Sequence, residues 1–177
     1  MIIQTIKQSL VELFPPVEAA PAPVAEETAE DEGAKKAPAK AEPRVNGVIT
    51  CDYNATGYHL DAQVDPDQLL DAVSRIDAAG FFIESITGVD WLKENQLEVV
   101  YDFARYDFDL CRVVIRTRVD RAISEVPTIT GIYSGANWHE RETHDFFGIK
   151  FTGHPHLVPL LLPEDADFHP LLKDFKA

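Results

Sequence analysis

The chain has 177 residues and a mass of 19.8 kDa, with 30 Asp and Glu against 16 Lys and Arg, for a net charge of −14 and a pI near 4.7. That balance excludes the basic stripe with which a nucleic-acid binder displaces counterions from phosphates, and a 45% hydrophobic content suits one core rather than two domains. No apolar run reaches the roughly 20 residues of a bilayer-crossing helix, and the N-terminus lacks signal-peptide order, so the expectation is a cytoplasmic protein that meets a membrane only indirectly.

Residues 1–14, MIIQTIKQSLVELF, place Ile2, Ile3, Ile6, Leu10, Leu13 and Phe14 near one helical face, with Gln4, Lys7, Gln8 and Glu12 largely opposite. Such an amphipathic docking helix can seat on a partner, on a membrane surface or on its own domain, or simply fray; Lys7 alone does not make the basic face of a membrane-surface helix. Residues 15–45 are rich in Pro, Ala, Glu and Lys with almost no large apolar side chains, a composition that predicts a disordered linker.

The α+β domain is assigned to residues 46–153. GVITCDY and YHLDAQV form a predicted hairpin across the turn-forming NATG. Cys51 and Cys111 stand apart in strand-like surroundings, as buried or semi-buried thiols rather than a disulfide or metal pair. In DPDQLLDAVSRIDAAG, Asp65 can cap a helix, Pro66 occupies its first position, Gln68 completes a capping box, Gly80 supplies the stop, and Leu69, Val73 and Ile76 form the buried stripe. FFIESITGVDW then reads as a strand entering a glycine-containing turn.

LEVVYDFA and CRVVIRTRV alternate at period two. Joined through RYDFD as an antiparallel pair, they set Asp102 opposite Arg112, Val100 opposite Val114 and Glu98 opposite Arg116. Val99, Tyr101 and Phe103 then share the other face with Cys111, Val113 and Ile115, beneath the helix. Arg112, Arg116 and Arg118 are thereby read as a solvated, ion-paired face and not an anion site. The predicted fold is α+β: a two-layer sandwich of a mixed, mainly antiparallel five-stranded sheet with one or two covering helices, an extended C-terminal arm and a disordered N-terminal tether.

Ser134 can cap a helix through GANWHERETHDFF, and Gly148 can end it. His139 and His144, five residues apart, sit about 140° apart on that helix, which defeats a zinc-protease pair. Ser134 lies in no nucleophile elbow, neither cysteine adjoins a histidine, and no glycine-rich phosphate loop occurs. Glu140 and Glu142, two apart, point in different directions, whereas Arg141 and Asp145, four apart, are expected to pair. No catalytic, cofactor-binding or metal-binding residue is assigned, and a free-standing metal-dependent hydrolase is kept as a remote alternative.

From His154 onward, prolines at 155, 159, 163 and 170 forbid a continuous helix, while Leu157, Val158, Leu160, Leu161, Leu162, Phe168, Leu171, Leu172 and Phe175 are apolar. Residues 154–177 are therefore read as an extended, partner-binding arm, since so small a domain has little surface left to cover it. The competing reading folds the arm back onto its own domain.

ITGVDW at Ile86, GANWHERETHDFFGIKFTGHP at Gly135 and LLPED…HPLLKDF ending at Phe175 resemble the thirty-kilodalton subunit of proton-translocating NADH:quinone oxidoreductase, respiratory complex I, over approximately residues 64 to 175. The resemblance implies a cofactor-free scaffold of the peripheral electron-transfer arm, not catalytic alone. Its arm would wrap over the large quinone-site subunit, at the cytoplasmic face of the inner membrane. Flavin, iron–sulfur clusters and quinone would belong to partner subunits. The residues it marks as family signature and partner interface are Trp138, Glu140, Arg141, Glu142, Asp145, Phe147, Gly148, Phe151, Gly153, His154, Pro155, Leu161, Leu162, Pro163, His169, Pro170, Lys173, Asp174 and Phe175. Three departures stand out: Val158 and Pro159 replace a usual arginine pair, Ala166 a common tryptophan, and Leu172 the arginine of PLRKDF. Those lost arginines keep open the homologous subunit of membrane-bound energy-converting nickel–iron hydrogenases or formate hydrogenlyase.

Overall fold

A computed structural model describes residues 2–14, 45–107 and 110–176; the linker predicted over 15–45 falls, apart from Val45, outside the described residues. The main sheet contains β1 (Gly47–Thr50), β2 (Leu60–Val64), β3 (Phe82–Trp91), β4 (Gln96–Arg105) and β5 (Cys111–Asp120), in the order β1-β2-β5-β4-β3. Within it only β2 and β5 run parallel; every other pairing is antiparallel. Leu60, Ala62, Val64, Val99, Tyr101, Phe103, Val113 and Ile115 line one buried face, as period-two alternation requires.

Over that face lies α3 (Leu69–Ala78), which buries Leu69, Ala72, Val73 and Ile76. A short turn, Pro66–Gln68, leads into it, and Gln68 Oε1 accepts from the Asp65 N–H at 3.2 Å in the predicted capping box. Gly80, at φ 78°, ends it. The predicted β1/β2 hairpin forms, but its connection contains a short helix, α2 (Tyr53–Thr56), capped by Asp52 rather than a tight turn on NATG.

The β4/β5 register differs by two residues from the sequence expectation. Glu98 faces Arg118, Val100 faces Arg116 and Ala104 faces Arg112. The cause lies at the loop: Arg105 stays in β4, donating to the Ala79 carbonyl at 2.5 Å and to Asp107 at 2.6 Å, so the connection runs through 106–110. An even shift keeps each side chain on its expected face. Arg116 still meets Glu98, at 3.6 Å, and Asp61, at 3.2 Å; Arg118 pairs with Glu98 at 2.9 Å and Arg112 with Glu84 at 2.8 Å.

The glycine expected to turn the backbone does not: β3 runs straight through Gly88. A Cβ there would fall 2.8 Å from Cγ of Phe147, so glycine is required by a ring that presses on the strand. Ile2–Val11 forms α1, and its apolar face is seated on its own domain rather than frayed, with Ile6 and Leu10 buried. Arg75 donates to the Ser9 carbonyl at 2.8 Å, Gln68 to the Leu13 carbonyl at 2.9 Å, and Lys7 to Thr50 at 2.9 Å. A second, two-stranded parallel sheet, β6 (Glu125–Pro127) with β7 (Lys150–Thr152), has no counterpart in the sequence expectation; it brackets the helix α4 (Ala136–Phe147).

Candidate functional site

The dense stretch forms α4, which lies along the open edge of β3. Thr143 Oγ1 donates to the Ile86 carbonyl of that edge, at 3.5 Å, and Phe147 fills the space over Gly88. Ser134 does not cap with its side chain; its carbonyl accepts from the Asn137 N–H at 3.3 Å, and Gly135 holds the N-cap. Gly148, at φ 72°, closes the last turn by donating to the His144 carbonyl at 2.8 Å.

Glu140 is fully buried. Its carboxylate accepts from the Ile129 N–H at 2.8 Å and from the Thr128 hydroxyl, and His154 Nε2 lies 3.9 Å away. Burial outweighs both hydrogen bonds and pushes this carboxyl up to about 7. His154 Nδ1 accepts from the His156 N–H at 3.0 Å, which leaves the proton on Nε2, donating to the Asn137 carbonyl at 3.3 Å. Burial, with Arg141 nearby, holds this imidazole below its ordinary value and hence neutral.

Arg141 and Asp145 do not pair with each other, contrary to their spacing. Arg141 donates from Nε to the Val158 carbonyl at 2.9 Å and from Nη2 to the Pro159 carbonyl at 2.8 Å, its guanidinium 5.4 Å from the Trp138 ring centroid. Asp145 Oδ2 accepts from three consecutive N–H groups, Leu160 at 2.8 Å, Leu161 at 2.7 Å and Leu162 at 3.2 Å. Between two prolines these donors belong to no helix or ladder, and one buried carboxylate gathers them as a backbone nest. Burial alone would raise Asp145, but the three N–H donors and His144 outweigh it and hold it below the usual carboxylate value.

The same segment caps the helix it crosses. His169 Nδ1 donates to the Asp145 carbonyl at 2.8 Å and the Leu171 N–H to the Phe146 carbonyl at 3.2 Å, satisfying two carbonyls that a helix terminus leaves open. Asp90 then accepts from the Lys173 N–H at 2.8 Å, and Arg121 bridges Asp90, at 3.2 Å, and Asp174, at 2.7 Å. Sequence reasoning misses both Asp90 and Arg121. Asp90 sits inside ITGVDW, but nothing local shows that its carboxylate reaches the C-terminal end.

Residues 154–176 therefore lie on their own domain, latched through backbone groups. Their apolar side chains divide: Leu157 and Leu172 pack against the core, while Val158, Leu161, Phe168, Leu171 and Phe175 remain 37%, 59%, 41%, 52% and 38% exposed. Trp138 on α4 is 61% exposed. Among the sequence-marked residues, Glu140, Arg141, Asp145, His154, His169 and Asp174 serve the protein's own backbone and charges. Phe147, Gly148 and Phe151 pack internally, and Leu162 and Pro170 are half-buried. Trp138, Glu142, Gly153, Pro155, Leu161, Pro163, Lys173 and Phe175 face outward.

Residues 62–177 match the family model described as the respiratory-chain NADH dehydrogenase, 30 Kd subunit. The C subunit of the NADH-quinone oxidoreductase of Roseiflexus sp. (strain RS-1) is 41% identical over 120 residues, 65% of this chain and 68% of that protein. The C subunit of the F(420)H(2) dehydrogenase of Methanosarcina mazei is 36% identical over 120 residues, 66% of this chain and 75% of that protein. Among solved structures, the archaeal membrane-bound sulfane sulfur reductase superposes with a TM-score of 0.60 at 30% identity, over 66% of this chain and 71% of that one. A trypsin-resistant fragment (1-134) of Nqo5 superposes with a TM-score of 0.51 at 30% identity, over 59% and 92%. The quinone oxidoreductase relatives do not favour the hydrogenase alternative. The chain belongs to the family of the respiratory-chain NADH dehydrogenase 30 kDa subunit, the C subunit of NADH-quinone oxidoreductase type complexes.

Proposed function

We propose that this subunit is a structural element of the peripheral electron-transfer arm. Its α4 and strapped C-terminal arm pack on the large quinone-site subunit, on the cytoplasmic face of the membrane. Flavin, iron–sulfur clusters and quinone are carried by other subunits. The observation that carries this reading is a set of exposed apolar side chains, Trp138 on α4 and Leu161, Phe168, Leu171 and Phe175 on the arm, whose polar groups hold its own domain. An exposed tryptophan and neighbouring aromatics on a rigid support are what protein interfaces use as anchors. Among the described residues no helix is long and apolar enough to cross a membrane, in keeping with attachment through the complex.

The test is assembly. Leu161→Ser/Leu171→Ser alters exposed side chains only, so the protein should fold and be recovered, while its retention in the purified complex falls at least about tenfold. Full retention would sink the reading. The purified wild-type protein should show neither flavin nor iron–sulfur absorption; a stoichiometric chromophore would oppose the cofactor assignment.

A further inference from the structure

We infer that the partner surface seated on α4 and the arm is an apolar groove rimmed by Lys or Arg side chains. This rests on the reading above that the face is an interface, and adds the chemistry of what covers it. The exposed row has a continuous support. Arg141 joins Trp138 to the Val158 and Pro159 carbonyls, Asp145 fixes Leu161 beside the next turn, and the Leu171 N–H bonds the Phe146 carbonyl. Phe168 and Phe175 stack at 5.7 Å and extend the row beyond the helix end.

Four carboxylates border it: Glu142 on α4, and Glu164, Asp165 and Asp167 in the turn between Leu162 and Phe168, all exposed. Among the described residues none of the four takes part in an ion pair. Five other carboxylates, Asp61, Glu84, Asp90, Glu98 and Asp174, have their charge answered by an arginine of this chain. The one guanidinium on this helix, that of Arg141, is directed to carbonyls and to the Trp138 ring, not to the carboxylates. Acidic groups left unanswered around an apolar row would be repelled by an acidic partner and need cations opposite them. The occupant is thus a protein with an apolar floor and a basic rim, not a second copy of this strongly acidic one.

The decisive experiment measures association of the purified full-length protein with the membrane complex stripped of it, across a salt series. Three variants are compared: Glu142→Lys/Glu164→Lys/Asp165→Lys/Asp167→Lys; the neutral Glu142→Gln/Glu164→Gln/Asp165→Asn/Asp167→Asn; and Leu161→Ser/Leu171→Ser. Wild type should associate faster at low salt. Charge reversal should slow association by about tenfold or more and remove that salt dependence, with the neutral variant intermediate. If the serine variant fails while both charge variants associate like wild type, the face is an interface but its basic rim is overturned. If all three associate normally, the interface reading falls with it.

Discussion

At the scale of single residues, Glu140 shows how far a buried carboxyl can serve structure. It accepts two hydrogen bonds from the segment before its helix, yet burial dominates and raises it from 4.5 to about 7. A folded-state value above the unfolded one means that the folded protein holds the proton more tightly. The associated stability is fully present below about pH 4.5 and is lost as pH rises through about 7. The difference amounts to about 3 kcal/mol. Glu140→Gln cannot titrate, so its stability relative to wild type should improve by that order between these limits, measured by urea unfolding across pH. An unchanged difference would show that Glu140 remains ionised in the fold. Asp145 works in the opposite sense: held low by three backbone donors, it contributes above its unfolded value and loses that contribution as pH falls through its depressed folded value.

At the scale of elements, the contact between α4 and β3 depends on a missing side chain. Gly88→Ala would drive a Cβ against the Phe147 ring. It should cost about 1–3 kcal/mol as overpacking, partly recovered in Gly88→Ala/Phe147→Leu. Additive losses in the double variant would show that the ring can move aside. This contact also marks where sequence reasoning stops. Helix α3 is legible because capping box, proline, stripe and stop glycine are all local signals; so are the faces of β4 and β5, through period-two alternation. The β4/β5 register is not, because Arg105 stays in its strand for a distant carbonyl, that of Ala79. Gly88 reads as a turn because a glycine that makes room for a remote ring looks the same in sequence as one that bends the backbone. Arg141 and Asp145 have the spacing of a helical ion pair, and only the folded arm shows each drawn to backbone groups fifteen to eighteen residues away.

At the scale of the whole molecule, the arm is both the last structural layer of the domain and its outward face. The apolar content of residues 154–177 points to a partner, and the competing reading folds them back onto the domain. The structure shows the fold-back: backbone groups and a few inward leucines hold the arm to the domain, and the remaining apolar side chains face out. In the proposed assembly, such latching would lower the ordering cost of binding, since the displayed side chains are already in place. The most direct measurement is amide hydrogen exchange on the isolated full-length protein at Leu160, Leu161, Leu162, Leu171 and Lys173. Protection at all five is predicted, lost at Leu160 to Leu162 in Asp145→Ala; exchange at the rate of an unstructured peptide in wild type would contradict it.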